Sequence, residues 1–557
     1  MLLWWCVGFL LVSAKKDEWL EVQTAQGPIW GRKNTIDKIY AFYNVPYATA
    51  PTGEDKFKAP LPPPTWTQPY KAVDTFTITC PQNEAVMSVL LDMYVMQENC
   101  LVANIFVPDT NNTNLSVFVY IHGGAFVFGY GNVNKATELM RTNDFIFVTF
   151  NYRLGIHGFL CLGTEDAPGN AGMKDQVALL RWVQENIASF GGNPDDVTIG
   201  GSSAGGISVD LLMLSKAAAG LFHRAIPESG GCLSPMAIQS DPLETAKAHA
   251  IKLNFTDVDN IYALGHFYKT APMKLLTSDL FFDRTDGTFV FSPCVERDTG
   301  YGSFLTEAPL NLLKKGSFEK LPMLYGYTSM EGLLRIDYYD LWMQKMNIRF
   351  EDFLPANINI KSETGRNRIA AIVKDFYFNK PLDSDDKMSI LGYVNFFTDV
   401  LFAYPILWAV KLQVEAGNNQ VYLYQYSFLE KQRQMLPNNK IGVSGHAAQS
   451  AAWLDVKDTD PSGITPEYQN MSMIMRKIWH NFIKTGMPVP RNSWLPVWPP
   501  ASADRAPHMS LGEKLELRGI LGSQVTRFWD SVYLRLYRDP KPPPDPSDIQ
   551  PKIRIEI

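Results

Sequence analysis

Two short apolar runs constrain the fold of this chain more than any other feature of its sequence. Residues 116–121 read SVFVYI, and residues 145–150 read FIFVTF. Neither run alternates regularly between apolar and polar residues, and a strand is apolar on both sides only where both faces of its sheet are covered. The two runs therefore predict central strands of a largely parallel sheet.

Helices are expected between the strands of such a sheet, and their patterns are present. Apolar residues recur at spacings of three and four between residues 173 and 190, which predicts a helix of about five turns that the glycines at 191–192 end. A later amphipathic helix is predicted over 471–482. Further short strands are predicted at 197–199, 321–325 and 421–426. Strands that alternate with helices indicate the α/β class, with a large, mostly parallel central sheet and helices on both faces.

The length of the chain raises the question of how many domains it forms. At about 150 residues per domain, 557 residues would give about four domains. The sequence contains no internal repeat and no linker-like stretch between Lys15 and about residue 537, beyond which it is polar and rich in proline. We therefore predict a signal peptide at 1–14, a single domain at 15–538 and a proline-rich tail at 539–557.

The first residues of the chain are typical of a secretory signal peptide. Residues 2–12 are almost wholly apolar, and small residues at 13 and 14 precede Lys15 and Lys16. The apolar run is too short to span a bilayer comfortably, since a spanning helix needs ~20 residues. We expect cleavage after Ala14, secretion to the extracellular space and no stable membrane anchor.

Composition excludes several classes of protein. Apolar residues make up 46% of the chain and charged residues 19%, which is typical of a globular protein. The net charge of −6 argues against binding to the phosphate backbone of nucleic acids. The sequence has no zinc-protease, C-x-x-C, P-loop or dinucleotide-binding motif, so we expect no metal and no cofactor.

Cysteines and glycosylation sequons fit an oxidising compartment. Cleavage after Ala14 would remove Cys6 and leave five cysteines, so at least one stays unpaired. Cys80 and Cys100 enclose a short loop and are the best local pair, whereas Cys232–Cys294 is a weaker alternative. Four N-x-S/T sequons predict glycosylated surface positions at Asn111, Asn114, Asn254 and Asn470.

The clearest chemical motif follows the predicted strand at 197–199. Residues 201–205 read GSSAG, the only G-x-S-x-G of the chain, and an apolar helical pattern follows. A sharp strand–turn–helix connection of this kind raises a serine hydroxyl above the sheet edge, and the flanking glycines allow helix and strand to pack closely. Ser203 is therefore the candidate nucleophile, and an ordinary glycine-rich turn is the alternative.

A second glycine-rich turn follows the predicted strand at 116–121 and reads HGGA at 122–125. Nucleophilic attack on a carbonyl group creates an oxyanion, which backbone N–H groups stabilise. Consecutive glycines expose such groups, and the N–H of the residue after the nucleophile joins them. We predict an oxyanion hole of Gly123, Gly124 and Ala204, against the alternative of a simple tight turn.

The base should be a histidine that follows both the serine and the acid in the chain. His446 lies in a loop of small residues at 442–448, some way after the predicted strand at 421–426. Other histidines are expected in covering helices or in a proline-rich segment near the chain end; these are His223, His249, His266, His480 and His508.

The acid should lie just past a strand end, where its carboxylate can orient the imidazole of the base. Glu331 meets this condition, because it follows the predicted strand at 321–325. Asp399 is the competing acid and has a phenylalanine-rich helical context. We prefer Glu331.

Other blocks of sequence carry a family resemblance. They read ENCLVANI at 98–105, NYRLG at 151–155, GFL at 158–160, PGN at 168–170 and FGGNP at 190–194. Together with the serine motif they resemble the signatures of type-B carboxylesterases and lipases, the cholinesterase-like branch of the α/β-hydrolases, and most of all secreted insect carboxylesterases. The resemblance covers nearly the whole mature chain and implies the α/β-hydrolase fold with extended loops that form a gorge.

The resemblance also implies roles for individual residues. It makes Ser203, Glu331 and His446 a catalytic triad, with the oxyanion hole as predicted above, and Cys80–Cys100 the first disulfide of the family. Ser229 and Asp399 match positions that support the histidine in relatives.

Three positions near the base depart from the family pattern. Ser202 stands where relatives commonly carry Glu or Gln, and Gln449 where an acid is usual. Ala452 replaces an expected aromatic residue, with Trp453 beside it. These changes concern the surroundings of the base, so we expect them to affect rate and substrate rather than reaction type.

The segment between Cys80 and Cys100 bears on substrate choice. Cholinesterases place a tryptophan in this loop to bind a quaternary ammonium group by cation–π attraction, and this chain has none there. The loop is instead rich in Met, Leu and Val, which are adaptable apolar fillers. It is either a hydrophobic lid over a gorge for apolar esters or a plain packing segment.

These features predict a serine carboxylic-ester hydrolase that acts through an acyl-enzyme. Its expected partner is a hydrophobic small-molecule ester, such as an odorant, pheromone, xenobiotic or lipid ester, and not a nucleic acid. A non-catalytic adhesion protein or a ligand-scavenging protein of the same fold is the alternative.

Overall fold

The computed structural model describes residues 18–34, 36–73, 76–91, 93–279, 283–298, 302–429, 444–455 and 464–549. The predicted signal peptide at 1–14 lies outside these ranges. So do residues 550–557 of the predicted tail and residues 442–443 of the loop that carries His446.

A 13-stranded sheet forms the centre of the molecule. Its strands, with the separate pair β5 and β6, are β1 (Trp19–Thr24), β2 (Gly27–Asn34), β3 (Ile39–Pro46), β4 (Tyr70–Lys71), β5 (Thr77–Thr79), β6 (Tyr94–Met96), β7 (Val102–Pro108), β8 (Leu115–Ile121), β9 (Phe145–Phe150), β10 (Gly192–Ser202), β11 (Arg224–Glu228), β12 (Met323–Thr328), β13 (Val421–Tyr426), β14 (His508–Leu511) and β15 (Leu515–Arg518). The order across the sheet is β1-β2-β3-β7-β9-β8-β10-β11-β12-β13-β14-β15, and β4 pairs with β2.

The middle of the sheet is parallel, as predicted. Every neighbouring pair from β9 to β14 runs parallel, whereas antiparallel strands extend the sheet at both edges. β9 and β13 have the predicted bounds, and β8 begins one residue earlier. β12 begins two residues later than predicted, at Met323, because Pro322 has no N–H to donate to the ladder. β10 is longer than predicted. Its first five residues, GNPDD, form part of the strand but have no apolar pattern that would predict one.

Helices cover both faces of the sheet. They are α1 (Glu84–Leu90), α2 (Thr137–Met140), α3 (Gly155–Phe159), α4 (Ala171–Asn186), α5 (Ala204–Leu214), α6 (Pro242–Lys252), α7 (Ile261–Thr270), α8 (Met273–Leu276), α9 (Pro309–Lys315), α10 (Tyr339–Ile348), α11 (Glu363–Tyr377), α12 (Lys387–Thr398), α13 (Tyr404–Glu415), α14 (Ala448–Trp453), α15 (Pro466–Thr485), α16 (Ser523–Leu536) and α17 (Pro546–Ile549). The first predicted helix is α4 with the 3₁₀ turn Ile187–Phe190 that follows it. α15 extends the second at both ends, because Thr465 caps its first turn and Gly486 closes its last.

The side chains of one central strand alternate between two apolar cores. In β8, Val117, Val119 and Ile121 belong to a core against α4, α5 and α13. Phe118 and Tyr120 belong to a second core against α14 and α15. Both faces of the sheet are therefore covered, which explains why the central strands contain so few polar residues.

Within the described ranges, one helical segment is long and apolar enough to pass for a membrane span. It is Lys387–Glu415, which includes α12 and α13, and 89% of its most apolar window is buried inside the protein. Its apolar side chains therefore belong to the core of the domain.

The described part of the proline-rich tail packs onto the domain. Asp545 forms an ion pair with Arg297, and Pro543 is buried. A Cβ added to Gly163 would lie 3.0 Å from the Cβ of Pro543, so the tail is in close contact with the loop after α3.

The disulfides differ in part from prediction. The predicted Cys80–Cys100 bond is present, and a second bond joins Cys161 to Cys294. The alternative Cys232–Cys294 pairing is therefore wrong. The Cys232 thiol is buried, and the backbone N–H of Cys232 donates to the Asp210 carboxyl group. The partners of the second bond are separated by 133 residues, so only the fold brings them together.

Opening the second disulfide should destabilise the protein more than opening the first. If the cross-link acts on the entropy of the unfolded chain, a separation of 133 residues stabilises by about 5 kcal/mol and one of 20 residues by about 3 kcal/mol. Guanidinium unfolding of Cys161→Ser/Cys294→Ser, with Cys80→Ser/Cys100→Ser as the control, measures both losses. Equal losses, or a larger loss for the shorter loop, would contradict this expectation.

Candidate active site

Ser203 occupies the sharp turn between β10 and α5. Its backbone has φ 59° and ψ −123°, a conformation that is strained for a residue with a side chain. Its N–H donates to the carbonyl oxygen of Glu228 at 2.9 Å, which ties the turn to the end of β11. A Cβ at Gly205 would lie 2.1 Å from the carbonyl oxygen of Ile121, so only glycine allows α5 to pack this closely on β8. The turn therefore has the geometry of a nucleophile elbow.

The glycine turn after β8 lies directly against this serine. A Cβ at Gly123 would lie 3.3 Å from the Cβ of Ser203, and Gly124 has a φ of 108° that favours glycine. Among the described residues, no turn, loop or side-chain hydrogen bond uses the N–H of Gly123, Gly124 or Ala204. The predicted oxyanion donors therefore lie around Ser203 with these N–H groups available to a ligand.

Glu331 and His446 form a close pair beside this turn. His446 Nδ1 lies 2.5 Å from Glu331 Oε2, and the Phe402 ring packs 4.8 Å from the imidazole. The Met330 N–H donates to the carbonyl oxygen of Ser444 at 3.1 Å, which fixes the histidine loop next to the acid. Because Nδ1 is engaged, Nε2 is the nitrogen that can exchange a proton. Ser203 and His446 are not hydrogen-bonded in the described structure, and catalytic hydrogen bonds are often long without a ligand.

The Glu331 carboxylate is buried but fully satisfied. Its Oε1 accepts from the Ser229 hydroxyl at 2.5 Å and from the Thr328 N–H at 2.7 Å, while Oε2 faces His446. Donors on both oxygens hold the carboxyl group in one orientation. A Cβ at Gly230 would lie 2.4 Å from the carbonyl oxygen of Ser203, so the segment that supports the acid also touches the serine.

The departures from the family pattern lie around this network. Gln449 Nε2 donates to the Ser229 hydroxyl at 2.6 Å, so the residue that replaces an acid supplies a donor. The Ser202 hydroxyl is buried and has no hydrogen-bond partner among the described residues. Ala452 is fully buried, and Trp453 Nε1 donates to Glu228 Oε2 at 3.1 Å.

Asp399 does not take part in this network. Its carboxyl accepts from the Tyr377 hydroxyl at 2.8 Å, and burial raises its pKa to about 7. No hydrogen bond joins it to Ser229, Glu331 or His446 in the described structure. The support for the histidine that the resemblance implied for Asp399 is therefore absent, because its side chain faces α11.

The other histidines have different surroundings. His249 and His266 lie in α6 and α7, and His480 lies in α15, where it pairs with Asp144 at 2.9 Å. The expectation for His223 is wrong, because it precedes β11 outside any helix, where its Nδ1 accepts from the Val197 N–H at 3.1 Å. His508 lies at the end of the proline-rich segment and begins β14.

One buried acid in this region escaped the sequence reasoning. Glu228 ends β11 and is fully buried, and its Oε2 accepts from Ser450 Oγ at 2.9 Å and from Trp453 Nε1. Burial raises the pKa of its carboxyl group to about 8. No motif marks it; the only signal was a glutamate at the end of an apolar strand.

The Cys80–Cys100 segment borders the glycine turn. Gln82 exchanges two hydrogen bonds with the backbone of Gly129, of 3.0 and 2.9 Å. Met87 is buried, whereas the side chains of Val89 and Met93 are 84% and 70% exposed. The segment therefore packs in part and also presents apolar side chains to solvent.

The four sequon asparagines are all exposed on the surface of the domain. Asn111 and Asn114 lie in the loop before β8, Asn254 follows α6, and Asn470 lies in α15. Each is therefore accessible to a modifying enzyme.

The buried Glu228 carboxyl makes stability depend on pH. The group has a folded-state pKa of about 8 against an ordinary value of 4.5. The stability that its neutral form contributes is therefore complete below pH 4.5 and is lost as the pH rises towards about 8. Glu228→Gln, which stays neutral, should unfold at a higher temperature than the unaltered chain at about pH 8, with the gap narrowing towards about pH 5. Calorimetry at several pH values measures the gap, and a gap that does not change with pH would contradict the assignment.

Known esterases resemble this chain over most of its length. The model of the carboxylesterase family matches residues 18–529. Venom carboxylesterase-6 of Apis mellifera is 34% identical over 76% of this chain and 77% of its own length. Juvenile hormone esterase of Heliothis virescens is 31% identical over 88% of this chain and 91% of its own length. The crystal structure of juvenile hormone esterase from Manduca sexta, with OTFP covalently attached, superposes with a TM-score of 0.81 at 28% identity and covers 93% of this chain and 100% of its own. The chain therefore belongs to the carboxylesterase family, α/β-hydrolases that hydrolyse esters of small molecules.

Proposed function

We propose that this carboxylesterase works through an acyl-enzyme formed on Ser203. The Ser203 hydroxyl attacks the ester carbonyl while His446 Nε2 accepts its proton. His446 then protonates the departing alcohol, and water, activated by the same imidazole, releases the acid and restores the serine. The observation that carries the proposal is the 2.5 Å pairing of His446 with Glu331 beside the strained turn at Ser203.

The proposed electrostatics follow from the same contacts. The negative oxygen of the tetrahedral intermediate forms against the N–H groups of Gly123, Gly124 and Ala204, which are already oriented and need no rearrangement. Glu331 holds the imidazole in one tautomer and stabilises its charge when it carries the serine proton. Support comes from the hydrogen bonds that Ser229 and Thr328 donate to Glu331, which keep its carboxylate facing His446.

The proposed substrate is a hydrophobic small-molecule ester. Support comes from the apolar Cys80–Cys100 segment, which borders the glycine turn and contains no tryptophan for a quaternary ammonium group. We also propose that the chain is secreted and carries glycans at Asn111, Asn114, Asn254 and Asn470. The signal-peptide pattern, the two disulfides and the exposure of these sequons support this.

Replacing the nucleophile should abolish hydrolysis. Ser203→Ala removes the group that forms the acyl bond, so we expect kcat for p-nitrophenyl acetate to fall by at least ~10³-fold. Ser202→Ala is the matched control, because it changes the neighbouring serine, whose buried hydroxyl has no partner among the described residues. We expect the control to keep turnover within about fivefold. Undiminished hydrolysis by Ser203→Ala would refute the assignment.

Replacing the acid should leave the nucleophile in place but disorient the base. Glu331→Gln puts an amide opposite Nδ1 and favours the wrong tautomer, so we expect kcat to fall by ~10³–10⁴-fold with KM little changed. The control is Asp399→Asn, since Asp399 bonds to Tyr377 and not to His446. A larger loss in the control than in Glu331→Gln would make Asp399 the acid.

A stopped-flow measurement separates an enzyme from the alternative of a ligand-scavenging or adhesion protein. We expect one equivalent of p-nitrophenol in a burst, followed by steady release, because water resolves the acyl-enzyme. A burst without further release would indicate a scavenger. No release at all would indicate a non-catalytic binding protein.

A further inference from the structure

Two adjacent residues at the end of β11 bind two adjacent residues in the first turn of α14. Ser229 accepts from Gln449 Nε2 at 2.6 Å, and Glu228 Oε2 accepts from Ser450 Oγ at 2.9 Å. α14 begins at Ala448, two residues after His446. The two contacts therefore fix the helix that directly follows the proposed base.

Glu228 also touches the nucleophile turn through its backbone. Its carbonyl oxygen accepts a hydrogen bond from the Ser203 N–H, while its side-chain carboxyl group accepts from Ser450 and Trp453 of α14. A displacement of this residue would thus be transmitted to Ser203 and to the histidine loop together. Replacing Ser229 would disturb Glu331 directly, whereas replacing the Glu228 side chain leaves the bonds of Glu331 intact and removes the hold on Ser450 and Trp453.

The pocket around the Glu228 carboxyl favours its neutral form. Tyr120 from β8, Tyr424 from β13 and Trp479 from α15 face it, together with the two donors of α14. None of these groups is a cation, and Oε1 has no hydrogen-bond partner among the described residues. A negative charge on this carboxyl would lie uncompensated by any cation in the core.

We propose that Glu228 is a positioning residue for His446: its neutral carboxyl group holds the first turn of α14 against β11, and its ionisation loosens that hold. The proposal rests on the proposed function, in which His446 is the base. An ionised carboxyl must gain water or new donors, and either change displaces Ser450 and Trp453 from their present contacts. The histidine loop then loses its anchor on one side while Glu331 stays in place.

The expected pH dependence follows from the sign of the shift. The neutral form is the competent one, so kcat is retained at lower pH and falls as the pH passes through about 8. Glu228 accounts only for the alkaline fall.

The test compares Glu228→Gln with Glu228→Ala in p-nitrophenyl acetate hydrolysis over about pH 6–10. Glutamine can place its amide oxygen where Oε2 accepts from Ser450 and Trp453. We therefore expect kcat of this variant at neutral pH to lie within about threefold of the value for the unaltered chain, and not to fall at alkaline pH. Alanine removes the hold, so we expect kcat to drop by at least ~10-fold with KM changed less than about threefold. Rescue by the conservative variant separates positioning from simple core packing.

Two results would overturn the proposed role of Glu228. An alkaline fall that persists in Glu228→Gln and disappears in Asp399→Asn would assign it to the other buried acid and overturn the proposal. Wild-type kcat in Glu228→Ala would overturn it as well. If the alanine variant does not fold, the pH profile of Glu228→Gln still decides.

A proton NMR measurement addresses the same question without turnover. The proton between His446 Nδ1 and Glu331 should give a far-downfield resonance, lost in His446→Ala, that broadens in the unaltered chain above about pH 8 and stays sharp in Glu228→Gln. Identical behaviour of the two would overturn the proposal even if the protein had no esterase activity. Survival of hydrolysis in Ser203→Ala, by contrast, would refute only the proposed function.

Discussion

At the carboxyl end of β11, two consecutive residues hold together segments that are far apart in the sequence. The Glu228 carbonyl accepts the N–H of Ser203, and the Ser229 hydroxyl donates to Glu331, which in turn holds His446. The nucleophile turn, the acid and the histidine loop therefore share one anchor. The parallel sheet makes this possible, because the carboxyl ends of β8, β10, β11 and β12 all meet at the same edge.

Two buried carboxyl groups near this edge have opposite electrostatic roles. Glu331 accepts two hydrogen bonds, from Ser229 and Thr328, and also faces an imidazole that becomes positive during the proposed reaction, so its environment suits an anion. Glu228 has two donors on one oxygen and aromatic side chains around it, so its environment suits the neutral acid. Burial raises the pKa of the Glu228 carboxyl group, and the hydrogen bonds from Ser450 and Trp453 offset that rise only in part.

Much of the fold and of the candidate site could be predicted from the sequence, because the signals are local. The apolar runs of β8 and β9, the stripe of α4 and the glycines around Ser203 each depend on residues within one element. Glu331 and His446 required only the chain order and a strand end. β12 begins two residues later than its apolar pattern predicts, because Pro322 has no N–H to donate to the ladder.

The features that escaped prediction depend on contacts between distant segments. Cys161 and Cys294 are brought together by the packing of the loop after α3, and Gly169 leaves the space for their sulfur atoms. Glu228 is distinctive only because Ser450, Trp453 and two tyrosines surround it, and three separate elements, α14, β8 and β13, supply those side chains. Gln449 stands where relatives usually carry an acid, yet its amide is a donor to Ser229.

The central claim is that Ser203 is the residue acylated during ester hydrolysis. The most direct test is labelling with a fluorophosphonate, followed by peptide mapping by mass spectrometry. The account predicts one adduct per chain, located on Ser203 and not on the adjacent Ser202, with loss of hydrolysis in proportion to labelling. An adduct on another residue, or full hydrolysis by a fully labelled chain, would contradict it.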